Sequence, residues 1–271
     1  MPRTNSANRA AWWGEYEIEE DALARWQIGP LDLWVRRTAL DWRYGFQRKA
    51  DHLENTLEIQ VPFDESESTE AQPEEAARFG CNQTVATLEL LPNLADRPVV
   101  ARPAVPFFVP PGQELELFVS TPVWVRLRSG QTDLMELPCV RPSDTWFGTN
   151  TRGELSYATR THLRRNLDNM PQRPHLAVTC VTVVNASNEQ LEIRRLSIPV
   201  PQLSLYASPA GTLWTQHMLL KWEHDGDITG VTLGREAPPQ SDGGQLVAIP
   251  RAPLGRSFGS LVFGGLFEEG Y

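Results

Sequence analysis

The chain has 271 residues, 41% of them hydrophobic and 22% charged, with a net charge of −9. This composition supports a packed core and excludes wholesale disorder. An acidic surface repels phosphate backbones and anionic bilayers, so nucleic acid is not an expected partner and direct membrane insertion is not expected.

The length suits two sandwiches of roughly 100 to 150 residues each better than one. Met1 to Asn8 contains no apolar run, so no secretory leader is expected. No stretch of about 18 apolar residues occurs that would span a bilayer. Cys81, Cys139 and Cys180 are odd in number, far apart and without a Cys-x-x-Cys spacing. They read as reduced, largely buried thiols in a cytoplasmic protein, and neither a zinc site nor any other cofactor is expected.

Period-two alternation runs through the chain. Leu31, Leu33 and Val35 alternate with Asp32, Trp34 and Arg36; Trp42, Tyr44 and Phe46 alternate with Asp41, Arg43 and Gly45; Leu57, Ile59 and Val61 follow the same rule. These are half-buried strands of antiparallel sheets. From Asp64 to Glu75 there are six acids and no base, which predicts an acidic loop near 64–76. Pro73 to Phe79 has room for one or two helical turns. Val123, Val125 and Leu127 then alternate with Trp124, Arg126 and Arg128.

Farther along, Thr159 to Asn169 carries Leu163 and Leu167 at i, i+4, which predicts a short helix ended by Pro171. Val178 to Val184 is apolar or Thr on both faces, as a covered central strand requires. Leu191 and Ile193 are out of phase with Leu196 and Ile198, so a bulge or short break is expected at Arg194-Arg195. His217 to Glu223 and Ile228 to Leu233 flank His224-Asp225-Gly226-Asp227, which reads as a hairpin. The two carboxylates of that turn are explained by its geometry, and no Ca²⁺ loop pattern follows them.

The expected fold is therefore mainly β: two antiparallel sandwich halves, Ig-like or jelly-roll-like, with at most one or two short helices. The strand pattern lapses between about 141 and 174. This places an N-terminal sandwich at 1–145, a C-terminal one at 146–271, and a junction at about 141–174.

No His-Glu-x-x-His, Gly-x-Ser-x-Gly or phosphate-loop pattern occurs. Nine tryptophans stand out instead. Trp34 and Trp124 lie on the polar faces of their strands beside Arg36 and Arg126. They suit a contact with another domain or chain, or burial beneath a loop. The densest polar-aromatic stretch runs from Leu137 to Thr161. In it Asp144 can accept from turn amides, and Trp146-Phe147 can anchor the junction into the core. Arg160, Arg164 and Arg165 form a small basic cluster, suited to an anion, to an acidic partner or to neutralising Glu154 and Asp168.

Asp144-Thr145-Trp146-Phe147-Gly148, followed by Gly153-Glu154-Leu155-Ser156-Tyr157-Ala158 and preceded by Thr121-Pro122-Val123-Trp124-Val125, resembles an uncharacterised prokaryotic family, domain of unknown function 432. The resemblance covers Trp13-Gly14 to about Leu233. It brings no established activity, so it assigns no catalytic residue. It implies a membrane-protein partner, of the mechanosensitive-channel kind, as one candidate.

The residues support a cytoplasmic, non-catalytic binding protein that takes a protein partner or associates with itself. Its candidate binding residues are Asp144, Trp146, Glu154, Tyr157, Arg160, Arg164, Trp34, Trp124 and Arg126. A second reading is a hydrolase or carbohydrate-modifying enzyme with a cleft between the halves, using Asp144, Glu154, Tyr157 and a histidine such as His162. A third is a regulatory partner that docks a membrane channel through the basic cluster.

Overall fold

Period-two sequence becomes strand almost throughout. The computed structural model of the chain describes residues 11–51, 54–64, 66, 73–148, 153–170, 172–223 and 228–253; for residues 160, 161, 169 and 228–230 it describes the backbone alone. The fold is mainly β, and antiparallel ladders dominate it. Among the described residues no helix is long and apolar enough to cross a membrane.

Two compact units interleave along the chain: 1–93, 123–141 and 173–175 form one, and 94–122, 142–172 and 176–271 form the other. Two of the passages between them, at 141/142 and 172/173, fall at the ends of the stretch read as the junction. The earlier passages, at 93/94 and 122/123, carry 94–122 into the second unit.

The first unit opens with β1 (Gly14–Glu17), β2 (Leu23–Ile28), β3 (Leu31–Arg37), β4 (Asp41–Arg48), β5 (Leu57–Gln60), β6 (Glu75–Gly80) and β7 (Thr87–Asn93). The chain then passes through β8 (Val99–Pro103), β9 (Phe107–Val109) and β10 (Glu114–Pro122) of the second unit. It returns to the first for β11 (Trp124–Ser129) and β12 (Thr132–Pro138).

In the first unit β5-β2-β3-β4-β6 make one sheet and β1-β7-β11-β12 another. Trp26, Ile28, Leu33 and Leu90 are fully buried. Tyr16 of β1 meets Trp26 of β2 edge to face at 5.1 Å, so aromatic packing joins the two sheets of this sandwich.

Pro73 to Phe79 is not helical. Its larger part is β6, paired with β4, where Phe79 stacks on Tyr44 at 5.7 Å. One or two isolated turns are marginal in water, whereas an added strand gains a ladder and an aromatic partner.

The second unit continues with β13 (Asp144–Phe147), β14 (Glu154–Leu163), β15 (Leu176–Asn185), β16 (Leu191–Ile193), β17 (Leu196–Ile198), β18 (Leu205–Ala207), β19 (Leu213–Thr215), β20 (Met218–Trp222), β21 (Ile228–Leu233) and β22 (Gln245–Ala248). Its largest sheet runs β21-β20-β15-β19-β18-β22, with β10 on the other edge of β15. The double-faced apolar run is thus the central strand, as its sequence requires. Three parallel pairings, β14 with β8 and β15 with β19 and β20, depart from the all-antiparallel expectation.

The second expected helix is likewise strand. Thr159 to Leu163 complete β14, and only Leu167–Asn169 make a 3₁₀ turn, capped by the Asn166 side chain. β-branched Thr159 and Thr161 favour the ladder, and Leu167 packs instead against the cluster of Phe118, Met170, Val178, Cys180 and Trp214. The break at Arg194-Arg195 is real. β16 pairs with β9 and β17 with β8, so the phase change marks a switch between sheets. β20 and β21 pair antiparallel, as a hairpin requires, while the turn at 224–227 and most of the acidic run lie outside the described residues.

Candidate functional site

The sequence motif folds as a two-stranded corner of the sheet β13-β14-β8-β17, with β13 at its edge. Register sets Asp144 opposite Tyr157 and Trp146 opposite Leu155. Alternation sends these four side chains to one face and Thr145, Phe147, Glu154 and Ser156 to the other. The first face is open: Trp146 is 46% and Leu155 44% exposed, while Phe147 and Ser156 are fully buried. Of the two aromatics expected to anchor the junction, only Phe147 enters the core.

A polar group flanks the apolar pair. Arg97 Nη1 donates to Asp144 Oδ1 at 3.2 Å, and its guanidinium sits 5.2 Å from the centre of the Tyr157 ring. The Tyr157 hydroxyl donates to Asp96 Oδ1 at 3.0 Å. Burial, and then the hydrogen bond to Asp96, push the Tyr157 phenol above its ordinary range, so it stays protonated. Asp96 and Arg97 had no signal in the sequence. They arrive because β14 runs parallel to β8, with the Tyr157 N–H bonded to Pro98 O at 2.8 Å.

Gly153 is required by the indole. A Cβ there would stand 2.2 Å from Trp146 Nε1 and 2.8 Å from Phe147 O. Arg195 braces the corner from below, 5.1 Å from the Phe147 ring centre, and donates to Trp146 O at 3.4 Å.

The remaining candidates go elsewhere. Glu154 sits on the inner face, where burial pushes its carboxyl up. Asp144 and Glu154 therefore leave opposite faces of the β13–β14 pair and do not form the two-carboxylate arrangement of a glycoside hydrolase. His162 lies farther along β14, its Nδ1 3.3 Å from Arg102 O. The Arg164 backbone exchanges hydrogen bonds with Phe118 at 2.7 and 3.0 Å. Arg160 belongs to the same strand, but its side chain lies outside the described ones.

Trp34 and Trp124 are buried, at 3% and 7% exposure. Trp34 packs under Phe63, whose ring centre is 4.7 Å away, and against the guanidinium of Arg25 at 4.7 Å. The residues after β5 thus cover it, one of the two arrangements open from sequence. Arg126 faces Glu136 and Asp133 at 3.9 and 3.8 Å, and Arg128 bonds Asp133 at 2.7 Å. The basic row of β11 is matched by acids on β12, which disperses it as a docking patch.

Among the described residues no group of three or more His, Cys, Asp or Glu side chains is placed to hold a metal ion. The corner offers an apolar centre with a hydrogen-bonded polar border, chemistry suited to contact with another protein. No curated protein and no solved structure matches the chain. A family model described as a protein of unknown function (DUF432) matches residues 12–268, and the chain belongs to that family.

Proposed function

We propose that this is a cytoplasmic, non-catalytic protein-interaction molecule whose contact surface is the outer face of β13 and β14. The observation that carries the proposal is the cross-strand pair Trp146, on the edge strand β13, and Leu155, on its neighbour β14, each nearly half exposed. Tryptophan is enriched at the energetic centres of interfaces, and its indole here lies close against Gly153. An edge strand also has backbone groups to offer a partner. The Arg97–Asp144 and Tyr157–Asp96 pairs form the polar border that such a centre needs. Three free cysteines fit a reducing compartment.

The partner is a second protein surface, supplied by another copy of the chain or by a different protein. A photo-crosslinking residue at Leu155 in living cells should give discrete adducts, which Trp146→Glu removes. The same probe at exposed Lys49 should not. Equal labelling from the two positions would contradict the reading.

A further inference from the structure

The second unit also contains a cavity of about 510 Å³, which shares no residue with the β13–β14 face. That volume is within the range of small-molecule sites, about 300–1,000 Å³. The chain segment around Arg251 forms one wall. It is fixed by Ala252 N donating to Pro201 O at 3.0 Å and Arg251 Nε donating to Leu94 O at 2.7 Å. Gln202, Gln216 and Arg235 line the rest of the polar surface.

Three features give the cavity a chemistry. No Asp or Glu is among its described lining residues, although the chain as a whole carries a charge of −9. Arg235 makes no ion pair among the described residues. Gln216 is 7% exposed, and its Oε1 accepts from the Ser204 N–H at 2.5 Å, which leaves its Nε2 as the donating end.

We propose that this cavity binds a small ligand bearing an oxyanion, carboxylate or phosphate. Arg235 provides charge-assisted hydrogen bonds to the anion. Gln216 adds a neutral donor. A guanidinium recognises both oxyanions through two parallel donors, so the residues define the shared chemistry and a titration separates the sources.

The test is calorimetric titration of the full chain at low ionic strength, with inorganic phosphate in one arm and succinate in the other. Saturable one-site binding of either is expected, and the probe that binds names the oxyanion. Arg235→Gln should weaken it about tenfold, the loss of a charge-assisted hydrogen bond. Arg235→Lys, which keeps the charge but not the fork, should fall between. Arg235 is exposed, so the circular-dichroism melt of both variants should match wild type, and agreement of the two separates lost contacts from lost folding. Absence of saturable binding in both arms, or binding undiminished by Arg235→Gln, would overturn the proposal.

Discussion

Removing Asp32 should unfold the first unit far more readily than its place in a polar-patterned strand implies. Asp32 accepts from Arg25 Nε at 2.9 Å and Nη2 at 3.1 Å, and from Gln47 Nε2 at 3.1 Å. The two ionic side chains are 2% and 10% exposed. Arg25 in turn lies over Trp34 and Phe63. Asp32→Ala leaves a guanidinium in a site closed to water, and breaking a buried pair this way costs about 3–5 kcal/mol. Replacing both partners, Arg25→Met with Asp32→Leu, removes the desolvation penalty along with the attraction and should recover most of that loss. Urea unfolding followed by circular dichroism, together with ring-current-shifted tryptophan resonances, reads both. A loss under about 1 kcal/mol for Asp32→Ala would refute the reasoning, because it would mean that water reaches the pair.

Three further outcomes follow from the same structure. Phe147→Ala should cost about 3–5 kcal/mol in denaturant unfolding, the range for a buried aromatic, and Trp146→Ala clearly less, since nearly half of Trp146 already meets water. Iodoacetamide should label Cys81 alone in the native protein and all three cysteines in denaturant. Cys139 and Cys180 are buried, and burial with the neighbouring Glu116 carboxylate pushes the Cys180 thiol up to about 12. Burial raises the Glu154 carboxyl above its ordinary 4.5, so the folded state holds that proton more tightly than the unfolded chain. Its stabilising effect is complete below 4.5 and is lost as pH rises through the folded value. Glu154→Gln should therefore flatten the decline in melting temperature as pH rises above 4.5, relative to wild type.

Local alternation was enough to read the strands, because one buried face imposes period two on the residues themselves. It failed where burial is two-sided. Asp32 and Trp34 look solvent-facing by pattern, yet Phe63 and Arg25 cover them, and nothing near Trp34 in sequence announces that cover. The two expected helices failed for a related reason. Leu163 and Leu167 have helical spacing, but one ends a strand and the other joins a separate apolar cluster.

The motif from Asp144 to Tyr157 was legible as the distinctive stretch, and its hairpin register makes neighbours of Asp144 and Tyr157. Asp96 and Arg97 were not legible, since a parallel pairing across some sixty residues brings them in, as the Tyr157–Asp96 bond with its separation of 61 shows. The cavity was invisible for the same reason. Gln202, Gln216, Arg235 and Arg251 come from four separate segments and have no shared spacing.

Gel filtration with light scattering tests the contact surface most directly, applied to the tagged chain in gentle cell extracts. Wild type should elute in a complex heavier than the 30.5 kDa chain, and Trp146→Glu, still folded by circular dichroism, should elute as the monomer. A wild-type chain that elutes as the monomer, or a complex that survives Trp146→Glu unchanged, would contradict the assignment of the β13–β14 face.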